Sequence, residues 1–279
     1  MLLLSSSILA ALLTALTVFL TGLSGWYLLL ILPIFFGYTI GLIALSFLFA
    51  FFASLPEDVN KPRTKPVKLF RVLFDLINGF LCDMSGARLR VTGADKLDPE
   101  KRYLFAFNHR SNFDPMVVAK HFRKYNLILL SKPGNFKIPI AGKSIHLAGF
   151  LSVDRENDRE ALKAVVQSVK YLKEGYSIGV CPEGTRNKLG PDLMPFRNGC
   201  FKIAMKAKVP IAVLSVVGCE KIHKNFPFKR SVIHIDVVDV IEPERFEGLS
   251  SVEIGEIAAT AIQNKINYYK GKDAEKIGL

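Results

Sequence analysis

The chain has 279 residues, half of them hydrophobic, and a formal net charge of +12. That is enough for one sizeable domain with additional elements, and the basic balance suits an anionic membrane surface or phosphorylated ligands. No arginine-rich stripe or nucleic-acid motif accompanies the charge, so nucleic acid is not expected as a partner. The four cysteines (Cys82, Cys181, Cys200, Cys219) lack CxxC spacing, which argues against a zinc site or a disulfide framework and for free thiols in a reducing compartment.

The charge is unevenly spread. No Asp, Glu, Lys or Arg precedes Glu57, so all 37 basic and 25 acidic residues lie in the rest of the chain. Residues 2–21 are apolar and long enough to cross a bilayer, since about 20 helical residues span its hydrocarbon core. Thr21–Gly25 reads as a turn, and Trp26-Tyr27 suits an interfacial position. A second apolar run, 28–53, is interrupted by Pro33 and Gly37. Residues 1–55 are therefore expected to form a membrane-embedded helical hairpin, either spanning or lying in one leaflet. A cleaved signal peptide would need a basic leading region, which the first run lacks, and a second apolar segment follows it at once.

The flank carries Lys61, Arg63, Lys65, Lys68 and Arg71, and the positive-inside rule places this flank and the remainder of the chain in the cytoplasm. Within a basic segment, 56–85, Leu69, Phe70, Leu73, Ile77, Phe80 and Leu81 recur at helical spacing. They predict an amphipathic helix over 68–82 that lies against the membrane or against the domain.

From 86 to 279 strands and helices alternate. Strands are expected at 87–92, 103–107, 126–130, 149–153, 177–181, 211–217 and 232–240. Helices are expected at 115–122, 158–173, 200–208 and 251–269, and Leu162, Val165, Val166, Val169 and Leu172 should form the buried face of the second. This order predicts an α/β domain with a mixed, largely parallel sheet flanked by helices.

Asn108-His109-Arg110-Ser111-Asn112-Phe113-Asp114 joins the strand at 103–107 to the helix at 115, with Asp114 expected at the N-cap and Pro115 at the first helical position. A loop folded back over the helix start can bring His109 to Asp114, giving an imidazole that takes a proton and a carboxylate that orients it. The plain alternative is a loop histidine beside a capping aspartate. Three further stretches lie at the ends of expected strands: Ser131-Lys132-Pro133, Gly149–Arg155 and Cys181–Arg186. Each has a plain reading as a solvated lysine, a surface Asp154-Arg155 pair or a turn. Together they put Lys132, Arg155 and Arg186 at strand ends near the histidine, a set suited to a phosphate.

His109-x4-Asp114, Gly149–Arg155, Pro182-Glu183-Gly184-Thr185-Arg186 and Val209-Pro210-Ile211 resemble, in order and spacing, the four motif blocks of the glycerolipid (lysophospholipid) acyltransferase family. The resemblance covers roughly residues 86–240 and runs closest to bacterial 1-acylglycerol-3-phosphate acyltransferases. Ser152 stands where the second block usually carries an aromatic, and Val213 where the fourth has a second proline.

The resemblance implies an α/β acyltransferase domain on a membrane-associated segment. It implies His109 as general base and Asp114 as its partner. Arg155, Glu183, Gly184, Thr185 and Arg186 would bind the glycerol-phosphate head of lysophosphatidic acid, with Lys132 assisting. The donor would be acyl-CoA or acyl-carrier protein, without metal or redox cofactor. Rival readings are another lyso-acceptor, an acyl-enzyme on Cys181, and a membrane-anchored phospholipid-binding module. Cys181 is expected inside an apolar strand, where a thiol is less reactive, and a binding module would not need His109 and Asp114 together.

Overall fold

The computed structural model describes residues 2–61, 63–139, 141–154, 157–190 and 192–277. Two apolar helices lead the chain, α1 (Leu2–Thr21) and α2 (Ile31–Ser54), joined by a turn and the 3₁₀ segment Gly25–Leu30. They pack on each other as a hairpin, with Thr17 and Tyr38 hydroxyls hydrogen-bonded at 2.9 Å. Phe19, Leu20, Leu32 and Ile40 are among many large apolar side chains they leave exposed. The spans Leu2–Thr21 and Tyr27–Ser54 are long and apolar enough to cross a bilayer.

Helix α3 (Lys68–Met84) leads into the domain. Next come β1 (Ala87–Thr92), β2 (Leu104–Phe107), α4 (Phe113–His121), β3 (Leu127–Ser131), α5 (Ala141–Leu147), β4 (Leu151–Ser152) and α6 (Asp158–Lys173). The chain continues through β5 (Ser177–Val180), α7 (Lys202–Ala207), β6 (Ile211–Val217), α8 (Ile222–Asn225), β7 (Ser231–Ile241), α9 (Pro243–Phe246) and α10 (Ser251–Ile277).

The seven strands form one sheet in the order β1-β7-β6-β2-β5-β3-β4. Among the described residues only the β6–β7 pairing is antiparallel, with a register shift at Val213/Leu214. The mixed, largely parallel sheet is thus as the alternation of elements suggests. The central strands read as unbroken apolar runs because both their faces are covered; Leu104–Phe107 and Ile211–Leu214 are entirely buried. On one face α3 packs on α4 and α5, and the hairpin packs on α3, with α2 reaching α5. On the other, α6 packs on α7, and α10 covers β6 and β7.

Several details depart from the sequence expectations. Strand β4 has two residues rather than five, because Gly149 turns the chain at φ +90° against the Pro66 ring, which a Cβ would strike at 2.5 Å. Helix α6 buries Ala164, Ser168, Tyr171 and Leu172, leaving Leu162 and Val166 exposed. The helix thus sits rotated from its most apolar stripe, with Val165 and Val169 only partly buried against the core. Helix α5 had no clear periodicity to announce it, and α10 continues past residue 269 to Ile277.

Helix α3 packs against both the hairpin and the domain. Phe70, Asn78 and Cys82 turn inward, and the Asn78 Nδ2 donates to the Met116 carbonyl at 2.9 Å. Phe80 meets Phe47 of α2 edge-on, with ring centroids 6.3 Å apart. Of the basic flank, Arg71 is buried and Arg63 is held by Glu57 at 2.8 Å, so neither faces a surface freely. Glu57 also meets His146 Nδ1 of α5 at 2.6 Å, tying the end of the hairpin to the domain.

Candidate active site

The pairings of β6, β2, β5, β3 and β4 are all parallel, so the loops after these five strands emerge on one edge of the sheet. From β2 the chain crosses beyond β5 to β3; from β5 it crosses the other way, beyond β2 to β6. β2 and β5 therefore flank a point where the winding reverses, the usual place for a ligand in an α/β sheet. His109 lies just after β2 and Glu183 just after β5.

The His109 loop folds back as the motif requires. His109 Nδ1 lies 3.1 Å from Asp114 Oδ2, and that oxygen also accepts the backbone N–H groups of Arg110 and Ser111, each at 2.6 Å. Asp114 is 1% exposed. It is not the helix N-cap: α4 begins at Phe113, with Asn112 in that position. Ser111 starts the turn early, its Oγ accepting the Phe113 N–H and its carbonyl the Asp114 N–H. The Asp114 side chain, one position inside the helix, then reaches back over the loop. The thiol of Cys219, after β6, is buried beside Asp114. Burial first, and the carboxylate second, push that thiol's pKa well up.

The backbone of His109 is gripped from the β5 side. Its N–H donates to Glu183 Oε1 at 2.6 Å, and its carbonyl accepts the Asn187 N–H at 2.7 Å. Glu183 Oε2 accepts the Met194 N–H at 3.0 Å. Glu183 is 3% exposed, and burial, opposed by these hydrogen bonds, raises its pKa. From the β6 side, Asn108 donates to the Val216 carbonyl and accepts the Val216 N–H, both at 2.8 Å. The loop is thus stapled to the strands on either side of β2.

The basic residues are more open. Lys132 is exposed just after β3, two strands from β2; at about 4.8 Å per strand that is roughly 10 Å across the sheet. Gly184 is buried in a turn at φ +77°, its N–H donating to the Cys181 carbonyl at 2.9 Å; Thr185 is exposed and Arg186 half-buried. The left-handed backbone at Gly184 reverses the chain without a Cβ penalty. Arg155, expected beside them, lies outside the described residues; the strand leading to it ends at Ser152. Among the described residues no three His, Cys, Asp or Glu side chains converge to hold a metal ion.

A family model described as Acyltransferase matches residues 88–217, the span that holds this edge. A probable 1-acyl-sn-glycerol-3-phosphate acyltransferase of Mycoplasma genitalium is 32% identical over 195 residues, covering 67% of this chain and 68% of that protein. The chain belongs to the glycerolipid acyltransferase family. It is an acyltransferase, and its bacterial relatives extend further. The 1-acyl-sn-glycerol-3-phosphate acyltransferase of Escherichia coli is 27% identical over 199 residues, covering 69% of this chain and 79% of that protein. The crystal structure of the 1-acyl-sn-glycerophosphate (LPA) acyltransferase PlsC from Thermotoga maritima shares the fold. Its TM-score is 0.58 at 17% identity, over 82% of this chain and 95% of that one.

In this acyltransferase the fold brings His109, Asp114 and Glu183 into direct or bridged contact, and leaves Lys132, Thr185 and Arg186 along the same edge. Glu183 differs most from what the resemblance implies, because both its carboxylate oxygens are taken up inside the protein rather than turned toward a ligand. Cys181 sits one residue past β5, half-buried, rather than within the strand. Sequence reasoning missed Asn108, Asn187 and Cys219 as supports of the loop. Asn108 had a visible signal, a polar residue ending an apolar strand run; the other two meet the loop only through the fold.

Proposed function

We propose that this acyltransferase moves a fatty acyl group from acyl-CoA or acyl-carrier protein to the free hydroxyl of 1-acylglycerol-3-phosphate, giving phosphatidic acid. The observation that carries the reading is the His109–Asp114 pair at 3.1 Å, held in a loop braced on both sides at the reversal point of the sheet. The activity for which the relatives are named supports the acceptor.

Asp114 already accepts two backbone N–H groups, so it acts as an acceptor toward the imidazole as well. Nδ1 then carries the proton and Nε2 the lone pair. The acceptor hydroxyl gives its proton to Nε2 as its oxygen attacks the thioester carbonyl. The tetrahedral intermediate collapses with cleavage of the C–S bond, and the imidazolium protonates the departing thiolate. A thioester is already activated, so one base and correct positioning suffice. Arg186, Thr185 and Lys132, with Arg155, hold the acceptor's phosphate; Glu183 holds the loop that carries the base. The hairpin lies in the cytoplasmic membrane, and the basic flank after it keeps the domain on the cytoplasmic side.

The test is thiol release from acyl-CoA and from acyl-carrier protein by the full-length protein in detergent, with a panel of acceptors. Lysophosphatidic acid should be used best. Preference for glycerol-3-phosphate, or for a lysophospholipid with a larger head, would replace this acceptor.

A further inference from the structure

The loop that joins β6 to β7 leaves the sheet on the catalytic edge and returns to it there, because β6 and β7 are antiparallel. Its distal half carries two aromatic rings turned to solvent, Phe226 at 53% exposure and Phe228 at 93%. Lys224, Lys229 and Arg230, all exposed, flank them and make no ion pair among the described residues. The rings do not project from a slack segment. The Phe226 N–H donates to the Ile222 carbonyl at 2.9 Å and the Lys229 N–H to the Asn225 carbonyl at 2.7 Å. Asn225 Nδ2 is fixed by Ser231 Oγ at 3.0 Å. Two exposed rings held close together on a hydrogen-bonded turn form an apolar patch available to something outside the chain.

We propose that this loop is a second membrane-contact site, in which Phe226 and Phe228 enter the headgroup region of the bilayer while Lys224, Lys229 and Arg230 meet anionic phospholipids. Aromatic rings flanked by basic side chains match the two layers of such a surface, apolar below and negative above. The loop also continues the face that already leads to the hairpin. The Gly86 carbonyl, just past α3, accepts the Ser231 N–H at 3.1 Å, and exposed Leu81 and Met84 at the end of α3 extend the apolar strip.

The same loop touches the base's own loop. Glu220 Oε1 lies 3.5 Å from Arg110 Nη1, and His223 packs edge-on against Phe113 with ring centroids 5.6 Å apart. Contact with the bilayer would therefore set the height of the catalytic edge above a lipid acceptor.

This rests on the hairpin lying in a membrane, and the experiment separates the two ideas. In the full-length chain, Trp26→Phe removes the one native tryptophan and Phe228→Trp introduces an indole at a fully solvated position. The protein is reconstituted in vesicles of phosphatidylcholine, with or without phosphatidylglycerol. The indole emission should shift to the blue and lose intensity to a lipid spin-labelled near its head group, more strongly in the anionic vesicles. Lys224→Gln, Lys229→Gln and Arg230→Gln together should reduce that quenching, each charge near an anionic surface being worth about a fivefold change in partitioning.

If vesicle-bound protein keeps a water-like emission, quenched by iodide and not by the labelled lipid, the loop does not touch the bilayer. An indole shielded from both quenchers would mean that a protein surface covers it, which also overturns the proposal. Release of the whole protein by a salt wash would instead remove the hairpin reading, and this one with it.

Discussion

The two halves of the catalytic edge are built differently. Around β2, with β6 on one side and β5 on the other, the groups that fix the histidine are already engaged: Asp114 by two amides and the imidazole, Glu183 by two amides, Asn108 by both polar groups of Val216. The other half is open: Lys132 after β3 and Thr185 after β5 stand exposed, and neither Lys132 nor Arg186 has an ion-pair partner among the described residues. A base must be in position before the substrate arrives, because misplacement by even about 1 Å can cost some 100-fold in rate. A cation meant for a phosphate is better left without a permanent carboxylate, which the ligand would have to displace.

The largest effects should come from the braced half. His109→Ala removes the proton acceptor and should lower turnover by about 10²- to 10⁴-fold, measured as thiol release by folded protein. Asp114→Asn should fall in the same range, since a neutral amide does not stabilise an imidazolium. Near-native turnover in either would end the general-base reading.

Glu183→Gln probes the brace itself. The amide keeps one acceptor, but its NH₂ faces a backbone N–H, and a buried donor left unsatisfied costs about 1–3 kcal/mol. The loop then shifts, and kcat should drop by up to about 100-fold with little change in acceptor KM. A loss carried by acceptor KM would show that Glu183 faces the ligand, as the family resemblance implies, and would blur the two halves into one.

On the open half the losses should be smaller and should appear in KM. A charge-assisted hydrogen bond contributes roughly 1.5–3 kcal/mol, so Arg186→Ala should weaken acceptor use by about 10- to 150-fold. Arg186→Lys should fall between, keeping the charge without the planar fork. Arg155→Ala is expected to behave alike. Two-substrate kinetics decide the assignment. If donor KM rises while acceptor KM holds, these arginines bind the phosphates of the acyl donor.

The same contrast explains what the sequence disclosed. The run Leu104–Phe107, apolar throughout because both its faces are covered, betrays a buried strand, and the long uncharged, mostly apolar segment 2–21 betrays a membrane-compatible helix. The His109–Asp114 pair is legible because its spacing is local. The braces are not, since Glu183 and His109 are 74 residues apart and Asn108 and Val216 are 108 apart. Nor does residue type separate a carboxylate that grips backbone amides from one open to a ligand; only the geometry at Glu183 does. The orientation of α6 is hidden for a related reason: the face it buries includes Ala164 and Ser168, small residues that a hydrophobicity pattern ranks below the exposed Leu162 and Val166.

Cys181 sits where the halves meet, and it should show the smallest effect. It lies at the end of β5, and its carbonyl accepts the Gly184 N–H at 2.9 Å to close the turn that positions Glu183 on one side and Arg186 on the other. That bond is made by backbone, so Cys181→Ser preserves it and changes one atom of a half-buried side chain. In direct transfer the acceptor oxygen attacks the thioester itself, and the thiol has no bond to form. Turnover should therefore stay near native, and protein mixed with donor alone should carry no acyl group. An acyl-enzyme would behave otherwise, releasing a burst of thiol in proportion to enzyme before any acceptor is added. Such a burst, abolished by Cys181→Ser and matched by an acyl adduct on the Cys181 peptide, would move the chemistry from the braced half to the strand end beside it. His109 would then activate the thiol rather than the acceptor hydroxyl.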